Sequence, residues 1–146
     1  MKVLGIDPGV TNGYAVVSDV MGDRQYVETC GWTQSPSVLG EVIELKKYIL
    51  RDFWVVVEDF VGAGPRNADN KRTIETLGFV RHLCALRNIE CKVRQPQTRL
   101  AYVERADFLV PRERVHGEQE AWNQHRVHIV QAAAHALSWM NHLEGK

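Results

Sequence analysis

The first apolar positions, Val3-Leu4-Gly5-Ile6, stop at Asp7-Pro8-Gly9, a pattern that predicts a strand running into a turn. Strand-like runs return over Gly13–Val17 and Gln25–Trp32, with the turn signal Met21-Gly22-Asp23-Arg24 between them. Three strands this close together predict an antiparallel meander. Ser35-Pro36 reads as a helix cap followed by proline at the first helical position. Val38, Leu39, Val42, Ile43, Leu45, Ile49 and Leu50 then fall mostly at helical spacing, predicting a helix over 38–50.

Phe53-Trp54-Val55-Val56-Val57 is a continuous apolar, largely β-branched run, as expected of a central strand covered on both faces, and it ends at Glu58-Asp59. Residues 61–70, with Gly62, Gly64, Pro65 and Arg66, predict a loop. A second helix fits 71–88, with Ile74, Leu77, Val80 and Cys84 along one side. Ile89–Arg94 is a short fifth strand stopped by Gln95-Pro96, an irregular basic stretch follows, and 118–143 makes the longest helix, for an element order βββαβαβ(α)α in which the bracketed helix falls in the basic stretch. The expected class is α/β in a single domain over 1–146. Its five-stranded mixed sheet has three antiparallel strands and then βαβ units, and helices flank it. A right-handed crossover returns the chain parallel to the sheet. With strand 53–57 beside strand 3–6, Asp7 and Glu58 leave the sheet at the same carboxyl edge, where open α/β sheets place their sites.

Composition narrows the class without changing the fold. At 146 residues, 45% hydrophobic and 25% charged, the chain is an ordinary globular one with enough length for a core. No apolar run approaches the roughly 20 residues that span a bilayer. The N-terminus enters a strand pattern directly, and the three cysteines lack metal-finger spacing. A reducing, cytoplasmic location with no membrane partner is the expectation. Net charge is zero, but residues 62–116 hold eleven basic and six acidic residues, so that +5 there balances −5 elsewhere. Such a division suits a basic band beside an acidic pocket, and equally two solvated faces.

Two carboxylates stranded at adjacent strand ends repel each other and lose water, a cost that a cation between them relieves. Mg²⁺ takes oxygen ligands and keeps waters and substrate phosphates, which suits phosphodiester cleavage. Spacing alone leaves a second account open, in which Asp7 is a turn-forming residue before Pro8-Gly9 and Glu58-Asp59 begins a solvated loop.

Gly5-Ile6-Asp7-Pro8-Gly9-Val10-Thr11-Asn12-Gly13, Val55-Val56-Val57-Glu58-Asp59-Phe60, Val93-Arg94-Gln95-Pro96-Gln97 and His128-Ile129-Val130-Gln131-Ala132-Ala133-Ala134-His135-Ala136-Leu137 together resemble the RuvC family of Holliday-junction resolvases, particularly its phage-type members. The resemblance spans nearly the whole chain. It implies a ribonuclease H-like fold and a homodimeric endonuclease that cuts four-way or other branched DNA with Mg²⁺, or Mn²⁺ as substitute. It further implies Asp7, Glu58, His128 and Gln131 as catalytic and metal-binding positions. Gln131 departs from the family, which places an acidic ligand there. An amide oxygen coordinates weakly and neutralises no charge, so a non-catalytic or weakened binder of branched DNA is the alternative. Arg66, Lys71, Arg72 and Arg99 are the candidate DNA contacts, Arg99 by resemblance near the scissile phosphate and the others by their place in the basic band. His125 and His135 share one stripe of the last helix with His128, either assisting the metal or flanking a packed face.

Overall fold

The computed structural model describes residues 1–20, 24–50, 52–59, 68–114 and 118–145. Strands β1 (Lys2–Asp7), β2 (Thr11–Val20) and β3 (Arg24–Gln34) form the meander, and helix α1 (Val38–Leu45) and a 3₁₀ turn (Lys46–Tyr48) lead to β4 (Phe53–Glu58). Helix α2 (Ala68–Leu86), strand β5 (Cys91–Arg94), a 3₁₀ segment (Pro96–Tyr102) and helices α3 (Val103–Leu109) and α4 (Gln119–Leu143) complete the chain. The sheet order is β3-β2-β1-β4-β5. β1 pairs antiparallel with β2 and parallel with β4, and β4 pairs parallel with β5, so the expected α/β mixed sheet is the one formed.

Side chains of alternating parity build two cores, because successive strand residues point to opposite faces. Leu4, Ile6, Val55 and Val57 join Leu45, Leu77, Val80 and Cys84 under α1 and α2. Val3 and Val56 join Ile129, Ala132, Ala133, Ala136 and Leu137 under α4. Each fully buried Val, Leu or Ile side chain contributes on the order of 1.5–3 kcal/mol. α4 lies very close to the sheet. A Cβ on Gly5 would overlap the carbonyl oxygen of Ala132, and one on Gly13 would overlap that of His128. These two glycines and the alanine run of α4 set how near the helix comes, and so bring its side chains within reach of both strand ends.

Three local expectations change. α1 is capped by Ser37, whose Oγ accepts from the Gly40 N–H at 3.1 Å, while the Ser35 hydroxyl accepts from Ser37 N. The first helix ends at Leu45, seven residues after it starts, and tightens into 3₁₀ geometry. The additional helix expected between the fifth strand and the last helix is present as α3. Trp122 Nε1 and Arg126 Nε donate to the Pro111 carbonyl while Arg126 Nη1 meets Asp107 Oδ1, tying that stretch to α4. The expected loop shortens at its end, since α2 already begins at Ala68; its residues 61–67, including Arg66, lie outside the described residues, as does Phe60.

Candidate active site

Ile6 registers with Val57, so β1 and β4 run in parallel and deliver Asp7 and Glu58 to the same edge of the sheet. The turn after Asp7 is held by Asn12, a fully buried side chain that accepts from Gly9 N–H at 3.0 Å and donates to Thr33 Oγ1 at 3.3 Å. Asn12 carries no periodic signal, and only its place in the Asp-Pro-Gly turn marks it in the sequence.

α4 crosses both strand ends and supplies one imidazole to each carboxylate. His128 Nδ1 lies 3.2 Å from Asp7 Oδ2, and His135 Nε2 lies 2.8 Å from Glu58 Oε2. Seven helical residues rise roughly 10 Å, which spans neighbouring strands about 4.8 Å apart when the helix crosses them obliquely. Arg99 Nη1 stands 3.5 Å from the same Glu58 oxygen and 2.6 Å from the Pro96 carbonyl.

Burial pushes the Asp7 carboxyl above its ordinary value, the His128 hydrogen bond lowers it, and the Glu58 charge raises it further. His128 is held above its ordinary value chiefly by the bond to Asp7, against the effect of burial. His125, next to the Trp32 ring at 5.1 Å, is lowered by burial and by His128. An open cleft of about 360 Å³ is lined by Asp7, Thr11, Thr73, His128 and Gln131 together with the Pro8-Gly9-Val10 turn.

The structure thus brings Asp7, His128 and Gln131 to one cleft, with Glu58 at the neighbouring strand end. Among the described residues no three His, Cys, Asp or Glu side chains converge tightly enough to hold a metal ion. The donors fit a divalent cation by chemistry: a desolvated carboxylate with a second one beside it, an imidazole, and an amide oxygen. Lys71 is solvent-exposed and 3.8 Å from Glu75. Arg72 is placed elsewhere. Its Nη2 meets Glu41 Oε1 at 2.9 Å, its Nε donates to Glu41 Oε2, and the guanidinium also reaches the Ser35 and Pro36 carbonyls. That arginine clamps α1 to α2, a role hidden in the sequence because Glu41 lies 31 residues away.

No family model matches the sequence, and no curated protein does. Solved structures do match over nearly the whole chain. The T. thermophilus RuvC in complex with a Holliday junction substrate superposes with a TM-score of 0.70 at 15% identity, covering 99% of this chain and 96% of that one. The chain has the RuvC fold. A second Thermus thermophilus RuvC structure agrees at a TM-score of 0.62 and 19% identity, covering 99% and 97%. The fowlpox virus resolvase in complex with its substrate Holliday junction DNA gives 0.65 at 14% identity, covering 98% of this chain and 99% of the other. The RuvC-like, ribonuclease H-like architecture expected from the ordered motifs is therefore the one present, despite identities at which sequences alone carry little signal.

Proposed function

We propose that the chain is a structure-selective endonuclease that hydrolyses phosphodiester bonds in four-way or other branched DNA, using a divalent cation held at the Asp7 strand end. The observation that carries this reading is the pair of carboxylates, Asp7 and Glu58, delivered by adjacent parallel strands to one edge and each met by an imidazole of α4. Its support from comparison is a fold shared with two resolvases that are each complexed with a Holliday junction.

Asp7, His128 and Gln131 would hold the cation with help from Glu58. A bound Mg²⁺ or Mn²⁺ supplies an activated water and neutralises phosphate charge. Asp7 is buried and destabilised as an anion, so it gains most from a cation nearby. His128 orients Asp7 through Oδ2. Arg99, whose contact with Glu58 is long, provides a guanidinium beside the site for a phosphate oxygen. Exposed Lys71 and, in sequence, Arg66 extend the grip along the backbone without reading bases. Nicking of synthetic four-way, flapped and linear duplexes with Mg²⁺, Mn²⁺ or chelator tests the reading. Metal-dependent products from branched substrates are expected, and tight junction binding without any product would replace it.

A specific observation favours that second reading, of a weakened or non-catalytic junction binder: Gln131 lines the cleft where a charged ligand would compensate the cation. Gln131→Asp is therefore expected to raise Mg²⁺-dependent nicking by at least about tenfold, the scale of one charge-assisted ligand contact. No gain in single-turnover rate would place residue 131 outside the coordination sphere.

A two-fold substrate needing paired nicks suits a two-fold enzyme. α2 exposes Ile74, Phe79 and Leu86, and α1 exposes Leu39 and Ile43, an apolar surface that the homodimer would cover. Phe79→Asp is expected to leave the fold intact and shift sedimentation toward the monomer. An unchanged mass would move the interface elsewhere.

A further inference from the structure

His135 lies in the most deeply buried stretch of α4, flanked in sequence by Ala132, Ala133, Ala134, Ala136 and Leu137, and is itself wholly buried. A polar ring there is costly unless it is hydrogen-bonded. Its Nε2 is spent on Glu58 Oε2 at 2.8 Å. Its Nδ1 is buried and has no hydrogen-bond partner among the described residues. Neither nitrogen is therefore available to a cation, in contrast to His128, which lines the cleft and whose side chain is 37% exposed.

The unpartnered Nδ1 also indicates where the proton sits. A buried lone pair without a donor is cheaper than a buried N–H without an acceptor, so Nε2 carries the hydrogen and donates it to the carboxylate. Arg99 Nη1 approaches the same oxygen, Oε2, at 3.5 Å, and its 3₁₀ segment is tied to α4 where Ser138 Oγ donates to the Thr98 carbonyl at 3.1 Å. Two cationic or donor groups from different elements thus converge on Oε2 of Glu58.

We propose that His135 is the positioning residue of Glu58: its Nε2–H pins Oε2, selects one side-chain rotamer of the carboxylate, and leaves Oε1 as the oxygen offered to a divalent cation. The cation in this statement rests on the nuclease reading above, whereas the tie between His135 and Glu58 does not. Outer partners of this kind typically change metal affinity by about 10–100-fold when removed.

Two substitutions in the full chain separate donor from bulk. His135→Gln keeps an N–H near the position of Nε2, and His135→Leu fills the volume without a donor. In the unliganded wild type, long-range ¹⁵N–¹H correlation is expected to show the Nε2–H tautomer for the ring signal that disappears in His135→Gln, and that proton resonance is expected to move in Glu58→Gln. Calorimetric titration with Mn²⁺ is expected to show wild-type affinity in His135→Gln and roughly 10–100-fold weaker binding in His135→Leu, with melting temperatures confirming that both fold. A ring protonated at Nδ1 alone overturns the proposal, as does undiminished Mn²⁺ affinity in a folded His135→Leu. Should the wild type bind no Mn²⁺, the nuclease reading falls, and the tautomer and the Glu58→Gln shift still decide whether His135 holds Glu58. If His135→Leu does not fold, loss of affinity in folded His135→Gln would likewise count against an amide-replaceable donor and overturn the proposal.

Discussion

Asp7→Asn is expected to abolish cleavage of a four-way junction while leaving junction binding intact. Amide and carboxylate have nearly the same shape, so the turn held by Asn12 and the contact to His128 survive. What disappears is the negative charge that holds a cation against the scissile phosphate. Several kcal/mol of transition-state stabilisation go with it, a rate loss of at least about a thousandfold. Single-turnover nicking beside a binding titration checks both halves, and cleavage at the wild-type rate would strike Asp7 from the catalytic set.

The same substitution has an opposite effect on stability. Burial and the neighbouring Glu58 charge raise the folded-state pKa of Asp7 above its unfolded value near 3.8. The folded protein therefore binds more protons than the unfolded one between those two values, and stability falls as pH rises through that window. Above it the cost of the buried anion persists in full. Asp7→Asn removes that cost, so at neutral pH and without metal the variant is expected to melt higher than the wild type, and the gain should vanish at low pH. A lower melting temperature at neutral pH would mean that the bond to His128 outweighs desolvation.

Arg72→Ala is expected to be the most destabilising of these substitutions. Glu41 is fully buried, and Arg72 is its ion-pair partner, with Thr76 Oγ1 donating to Glu41 Oε2 at 3.4 Å. Removing the guanidinium leaves an uncompensated carboxylate between α1 and α2, a loss of roughly 3–5 kcal/mol. Urea unfolding should show it directly, and in a domain this size it corresponds to a drop in Tm of roughly 10 °C. Pairing Arg72→Met with Glu41→Met should recover much of the stability, because an apolar pair needs no desolvation. A stable single variant whose junction binding loses one phosphate's worth of salt dependence would restore Arg72 to the DNA surface.

The contrast between Asp7 and Arg72 shows which features were legible in the chain. Asp7 and Glu58 each end a run whose hydrophobicity marks a buried strand, so the edge at which they emerge follows from local pattern and one right-handed crossover. Arg72 lies in a stretch rich in basic residues, and nothing local distinguishes a phosphate contact from a clamp on a buried acid. His135 is a similar case: its spacing from His128 places both on one stripe of α4, but whether each ring faces solvent, cation or carboxylate depends on how the helix crosses the sheet. Lys71, by contrast, stays on the surface and available.

What the sequence determined by itself is the set of elements, their order and the two carboxylates at strand ends, because hydrophobic period, turn chemistry and strand termini are properties of neighbouring residues. Only the tertiary structure decided that His128 serves Asp7, that His135 serves Glu58 from 77 residues away, and that Glu41 claims Arg72. Those pairings depend on a helix held against two strands by Gly5, Gly13 and a run of alanines, a close approach whose consequences no window of adjacent residues contains.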